Sequence, residues 1–299
     1  MIEVCAPGKV VLLGEYAVLD GAPALVAAVD RGVRCAVAPG GSGVRIDAPD
    51  ARFVGPALSH VDAPPGHYRF TAWNAPQTAT KAGLGSSAAA VVAAVVAARE
   101  ASGQPHRPTQ VWRDARAVHH AVQGGGSGID VAASTFGGIT RFRGGHVTAE
   151  RIGDLPDRLS VVWSGQSAAT GPRVQRYLAW DDPARERFVA WSTAIVDSWR
   201  DDPIAALADA ARLLAEIDAR AGLGWWCDAY APVLQLARAR GGAAKPSGAG
   251  GGDILVALFP DRDRKASFEA ACLAQGATPL GVALADGAHR VHYTNEGAP

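Results

Sequence analysis

Short apolar and β-branched segments alternate with turn signals along the first quarter of the chain: VVLL at 10–13, ALVAAVD at 24–30, VRCAVA at 33–38, VRID at 44–47 and HYRFTAW at 67–73. Gly-Gly, Asp-Gly and Pro-containing breaks separate them, which predicts an antiparallel sheet with tight connections. The period then lengthens. Residues 87–101 and roughly 108–122 read as helices, followed by the glycine knot QGGGSGID and the β-like stretch GGITRFRGGHVTAERI. A second half opens near Leu159 with the strand SVVWSG. Residues 172–219 and 225–240 carry helical spacing, with Ile204, Leu207, Ala211, Leu214 and Ile217 three or four apart. A loop, GGAAKPSGAGGGD, leads into the strand ILVALF at 254–259, a helix over about 263–275 and two closing strands. Strands and helices that do not alternate strictly predict an α+β fold. Two lobes are expected, 1–158 and 159–299, with glycine loops where strands meet helices.

Composition narrows what such a chain can do. At 299 residues, 48% hydrophobic and 19% charged, it has ample material for a core and lies outside the disordered class. Its 35 glycines gather in a few clusters without a period, so neither a collagen-like nor a low-complexity reading fits. Lys and Arg total 29 against 29 Asp and Glu. A broad nucleic-acid footprint needs an excess of base, so any anion site is local. Cys5, Cys35, Cys227 and Cys272 are far apart and form no CxxC pair, which argues against a zinc site or a disulfide framework. The longest apolar run, Ala88 to Ala98, is about half of what a bilayer helix needs. With no signal-peptide pattern at the N-terminus, a soluble, reduced, cytoplasmic protein without a membrane partner is expected.

Four stretches could carry chemistry. In PGKVVLLGEYAVLDG, Lys9 starts a strand, where a lysine either blunts a sheet edge or places a point charge on a phosphate. In KAGLGSSAAAVVAAVVAARE, two glycines and two serines precede a small apolar run. A serine there could cap the first turn of a buried helix. Alternatively, the free N–H groups, the positive end of the helix dipole and the two hydroxyls form a phosphate site. The stretch is not a Walker A loop, because no GK[ST] ends it. Ser86 or Ser87 could offer a hydroxyl to Mg²⁺. In QGGGSGIDVAASTFGG, Asp130 either caps a helix or orients an attacking group. In AAKPSGAGGGDILVALF, Gly248, Gly250, Gly251 and Gly252 are more than a turn requires, and a floor for close approach to a ligand would explain them, with Ser247 and Asp253 as polar groups.

Together APGKVVLLGEYAVLDG, KAGLGSSAAAVVAAV and KPSGAGGGDILVALF, in this order, resemble the three motifs of the GHMP small-molecule kinases. The resemblance spans both lobes. GEYAVL, KAGLGSSAA, His119–Gln123 leading into GGGSGIDVAAS, TRFR and VVWSGQSAATGPRV make it most similar to the phosphomevalonate kinase branch. The fold so implied is a two-lobed GHMP kinase, with an N-terminal lobe like ribosomal protein S5 and a C-terminal ferredoxin-like lobe. The implied reaction transfers the γ-phosphoryl group of ATP to mevalonate 5-phosphate, with Mg²⁺; mevalonate kinase or another GHMP small-molecule kinase is the alternative. A catalytically silent ATP and metabolite sensor on the same fold is the reading of a different class. By this resemblance Lys9 and Asp130 are catalytic. Gly83, Leu84, Gly85, Ser86, Ser87 and Ala88 cradle the nucleotide phosphates, with Ser87 on the metal. Tyr16, Lys81, His119, Ser127, Gly128, Arg141, Arg173, Ser247, Gly248, Ala249, Gly250 and Asp253 surround the acceptor.

An anionic acceptor requires local cations. Lys81, His119, Arg141, Arg143, Arg173 and Arg176 are the candidates, and each has the competing role of a solvated surface charge. Three departures from the family pattern stand out. His119 occupies the place where mevalonate kinases carry a metal-binding glutamate, the 39–76 region is short, and QGGGSGID is one residue shorter than the usual spacing. A homodimer is left open.

Overall fold

The computed structural model describes residues 1–74, 83–143, 146–151, 157–181 and 183–291, with backbone alone for 146–151. Strand β1 (Ile2–Leu13) pairs antiparallel along its length with β2 (Pro23–Pro39). The two segments expected at 24–30 and 33–38 are therefore one strand of 17 residues. Its register jumps from Gly8 opposite Val29 to Pro7 opposite Gly32, so Asp30 and Arg31 form a bulge that keeps the strand continuous. Gly32 is required there, since a Cβ would lie 2.0 Å from the Ala6 carbonyl oxygen.

Strands β3 (Val44–Asp47) and β4 (Gly66–Trp73) are parallel and are joined through α1 (Ala51–His60). This helix was not anticipated, because Gly55-Pro56 in its middle reads as a break. Asp50 starts it by accepting a hydrogen bond from the Arg52 N–H at 3.1 Å. Helices α2 (Ser86–Ala101), α3 (Pro108–Gln123) and α4 (Ile129–Phe136) follow, then β5 (Ile139–Arg143) on β2, and β6 (His146–Arg151) beyond it.

The second lobe opens with β7 (Leu159–Trp163). The helical stretch expected over 172–219 is divided into α5 (Thr170–Ala179), α6 (Ala184–Asp197) and α7 (Pro203–Ala221). Pro203 occupies the first turn of α7, and Asp202 caps that helix by accepting from the Ile204 and Ala205 N–H groups at 3.0 and 2.9 Å. Helix α8 (Tyr230–Arg238), β8 (Ala243–Pro246), β9 (Ile254–Leu258), α9 (Arg262–Ala274) and β10 (Thr278–Pro279) complete the lobe. Its antiparallel sheet runs β10-β7-β9-β8, a ferredoxin-like order. The chain then returns to the first sheet: β11 (His289–Arg290) pairs with β1, so the first lobe is not a single continuous segment.

Side-chain alternation on β1 and β2 gives the first sheet two apolar faces. Val4, Ala6, Val11, Ala24 and Val26 face the helices. Val10, Leu12, Leu25 and Ala27 instead join Val161, Leu207 and Val256 of the second lobe. Helix α2 lies in the first of these layers, buried from Ala88 to Ala98 apart from the partly buried Ala90. Among the described residues no helix is long and apolar enough to cross a membrane.

Nothing between Ser86 and Ala98 is larger than valine, so α2 has no slack for a longer side chain. Ala94→Leu should destabilise the fold by about 3 kcal/mol, at the upper end for overpacking. Urea unfolding will show this as a lower midpoint at unchanged slope.

Candidate active site

Strand β1 and the start of α2 touch through backbone. The Lys9 N–H donates to the Leu84 carbonyl at 2.8 Å, and a Cβ on Gly8 would lie 2.5 Å from that same oxygen. Gly83 and Gly85 have φ of +71° and +78°, a region open to glycine. Neither has room for a side chain. A Cβ on Gly85 would stand 2.8 Å from Lys9 Cγ, and one on Gly83 would stand 2.6 Å from Asp253 Cβ. The glycines thus let the lysine stem and an aspartate pack against the loop that enters the helix.

No side chain caps α2, so the serine-cap reading fails: Gly85 precedes the first turn, and the N–H groups that open the helix at Ser86 face outward for a ligand. The two serines separate clearly. Ser86 is exposed, whereas Ser87 turns inward and its Oγ lies 3.2 Å from His119 Nε2. His119 is buried on α3 and stacked on Phe53, with ring centroids 5.4 Å apart. Burial holds its imidazole below the ordinary value, against the raising effect of Asp130. At 3.2 Å the His119 imidazole is the hydrogen-bond partner that orients the Ser87 hydroxyl.

Asp130 lies in the first turn of α4, whose start has no side-chain cap, so it is not the helix cap either. Its Oδ1 is 3.9 Å from Lys9 Nζ. The turn before it is held by Ser127, whose hydroxyl accepts from the Ile129 N–H at 3.3 Å. Gly128 rests on the Arg116 stem, which lies 3.1 Å from where its Cβ would be. Ser127 and Gly128 therefore shape the bend that presents Asp130.

The loop after β8 differs from its expected role as a bare ligand floor. Protein fills the space over three of its glycines: a Cβ on Gly250 would meet Trp225 at 2.3 Å, on Gly251 the Arg173 guanidinium at 1.7 Å, and on Gly252 the Gln166 carbonyl oxygen at 2.8 Å. Gly248 alone of the four faces the Lys9 ammonium, 3.8 Å from its would-be Cβ. Ser247 is buried and both donates to the Val11 carbonyl and accepts from the Val11 N–H, each at 2.9 Å. Tyr16 is buried too, with its hydroxyl donated to the Ala249 carbonyl at 2.7 Å. Both hydroxyls thus hold the loop in place.

Asp253 has a left-handed backbone, φ +58°, and its Oδ1 accepts from the Ala168 N–H at 3.3 Å. Burial raises its pKa, opposed by that hydrogen bond and by the charges of Lys9 and Arg173. Arg173 donates Nε to the Gly224 carbonyl at 2.7 Å and Nη1 to the Ala169 carbonyl at 2.8 Å. The other candidate cations also have protein partners, and Arg176 lies beside Arg173, 3.0 Å from where a Cβ on Gly224 would be. Arg141 pairs with Asp197 at 2.5 Å, Arg143 donates to the Gly21 carbonyl at 3.3 Å, and Arg176 donates to the Leu223 carbonyl at 2.9 Å. Lys81 lies outside the described residues.

Two charged residues without an assigned role also meet here. Lys245 is completely buried and ion-paired with Glu15. Both stand inside quoted motifs, GEY and KPS, but only the fold brings them together.

These features fit a nucleotide with a hard divalent cation. The helix start offers N–H groups with no side-chain cap over them, and the Ser87 hydroxyl beside it is an oxygen donor for the cation. Among the described residues no group of three His, Cys, Asp or Glu could hold a metal ion.

The families described as GHMP kinases N terminal domain and GHMP kinases C terminal match residues 70–138 and 204–278. The phosphomevalonate kinase of Streptomyces sp. (strain CL190) is 30% identical over 331 aligned positions, covering 85% of this chain and 88% of that one. The chain belongs to the GHMP kinases. The mevalonate kinase of Thermococcus sibiricus is 28% identical, over 86% of this chain and 89% of its own. In fold, the chain is similar to Streptococcus pneumoniae phosphomevalonate kinase in complex with phosphomevalonate and AMPPNP, with a TM-score of 0.77, 19% identity and coverage of 97% here and 100% there.

Two stability experiments separate the roles around the loop. Ser247→Ala leaves two Val11 backbone groups without their partner and should cost about 1–3 kcal/mol in thermal or urea unfolding. Asp253→Asn keeps a side chain that tolerates positive φ and keeps the acceptor for Ala168. It should raise the melting temperature at pH 7. A folded carboxyl pKa above its unfolded value means that the native state binds the extra proton, so Asp253 loses stability as pH rises through that window. The gain from Asn must therefore shrink as the pH falls to the ordinary carboxylate range, which paired melting curves will show.

Proposed function

We propose that the chain transfers the γ-phosphoryl group of ATP to mevalonate 5-phosphate, giving mevalonate 5-diphosphate and ADP, a step of the mevalonate pathway to isoprenoid precursors. The observation that carries this reading is a second cation at the motif loops: the Lys9 ammonium, 3.9 Å from Asp130, faces Gly248, and the Arg173 guanidinium packs on Gly251 of the same loop. An acceptor that is itself a phosphate needs cations beyond those serving the nucleotide, and a guanidinium is suited to a phosphate fork. The Streptomyces relative supports the same substrate.

In this reading an acceptor phosphate oxygen attacks the γ-phosphorus while the bond to the β–γ bridging oxygen breaks, and ADP departs. The task is positioning and charge neutralisation. A phosphate monoester is already largely ionised at neutral pH, since its second pKa is about 6. Asp130 therefore need not remove a proton; it holds the Lys9 ammonium beside the transferred group and orients the acceptor. Lys9 offsets the negative charge shared by donor and acceptor. The N–H groups of Ser86, Ser87 and Ala88 bind nucleotide phosphate oxygens at the positive end of α2. Mg²⁺, when bound, neutralises further phosphate charge; Ser87 would hold it.

The test is ADP release with mevalonate 5-phosphate and with mevalonate, with phosphorus NMR of each product. Turnover of the phosphate is expected. Release with mevalonate alone would assign a mevalonate kinase, and ATP binding without acceptor-dependent turnover would assign a sensor. As a further arm, Arg173→Lys should raise the KM for mevalonate 5-phosphate by about 10-fold, the worth of one good bond to a charged group, while the KM for ATP stays level.

A further inference from the structure

The lobes also meet at a charge pair that phosphoryl transfer does not require. Lys245, at the end of β8, has its ammonium in an ion pair with Glu15 and donates a second bond to the Pro246 carbonyl at 2.9 Å. The same Glu15 Oε1 accepts from the Gly248 N–H at 3.2 Å. Next in sequence, Tyr16 donates to the Ala249 carbonyl at 2.7 Å. Two consecutive residues after β1 thus hold two consecutive residues of the loop. Gly248 is also the part of that loop that faces Lys9 Nζ, and Lys9 belongs to the same β1 that leads into Glu15. Lys9, Glu15 and Gly248 close a small ring, two sides of which are fixed by backbone and side-chain bonds.

We propose that Glu15 and Tyr16 are positioning residues that set the Gly248–Ala249 backbone beside the Lys9 ammonium, and that buried Lys245 holds the Glu15 carboxylate aimed at the Gly248 amide. The width of the slot left to the acceptor between Lys9 and the loop then depends on a bond made behind it. This inference rests on the kinase reading for its effect on turnover, but the bond itself can be followed without substrate.

Replacing one member alone leaves a buried charge without its partner, so the variants are made in pairs. Glu15→Gln with Lys245→Met removes both charges and keeps an oxygen for the Gly248 N–H. Glu15→Ala with Lys245→Met removes the same charges and the oxygen. Hydrogen exchange at the Gly248 amide, measured in the free protein, should stay slow in the first and become fast in the second. With whichever acceptor the parent turns over, kcat should be close to parental in the first and about 100-fold lower in the second, the scale of an ångström-sized misplacement, with KM for ATP level. Equal exchange or equal kcat in the two would overturn the proposal. Should either pair fail to fold, Tyr16→Phe, which strands no charge, carries the test: a selective fall in kcat is expected, and parental kcat overturns it. Failure of the function reading looks different, as absence of parental turnover with mevalonate 5-phosphate while the Gly248 exchange result stands.

Discussion

A helix that delivers its N-terminus to a ligand must be held from every other side, and α2 meets that demand through side-chain size. Alanine and valine from Ala88 to Ala98 let sheet, α1, α3 and α4 close around it. Close packing leaves the axis little freedom, so the free N–H groups at Ser86 and Ser87 point where the sheet directs them. The other contacts depend on that placement. Lys9 can bond backbone to backbone with Leu84 because the helix entrance lies against β1, and Ser87 reaches His119 because α3 is packed on the same helix.

Besides the apolar face of the sheet, one short connection ties the second lobe to this layer by polar bonds. Residues Glu15, Tyr16 and Asp20, between β1 and β2, each engage the other lobe: Glu15 pairs with Lys245, Tyr16 binds the Ala249 carbonyl, and Asp20 pairs with Arg185 and accepts from Tyr177. Ala17 and Ala22 add apolar contact with the cluster around Tyr177, Phe188, Leu214 and Trp225. A buried ion pair is weak evidence for stability, because desolvation offsets much of the attraction, while an unpaired member is strongly unfavourable. Its contribution is specificity of docking: another seating of the lobes would leave Lys245 without a counter-charge.

The α+β class and both glycine-rich helix entrances were legible from hydrophobic period and glycine clustering alone. Lys9 and Asp130, found through the motifs, lie 3.9 Å apart. What sequence could not supply was direction. Ser86 and Ser87 are chemically alike, and only the packing of α3 turns one toward His119 and leaves the other in solvent. The surplus glycines at 250–252 suggested space for a ligand, but glycine also marks places where large neighbours press on the backbone, here Trp225 and Arg173. Arg141 was a reasonable cation until α6 placed Asp197 beside it. Helix α1 was hidden by Gly55-Pro56, where tertiary packing of Val54, Ala57 and Leu58 outweighs local helix-breaking preference.

The pairing of β11 with β1 changes how the lobes should be counted. Val4 and Cys5 find their partners at Arg290 and His289, and the Val291 N–H closes on the Glu3 carbonyl at 2.8 Å. In topological terms the ferredoxin-like lobe is an insertion between two parts of one sheet. During synthesis the outer edge of β1 stays unpaired until the whole inserted lobe has emerged, so the strand that carries Lys9 is among the first made and the last to be sealed.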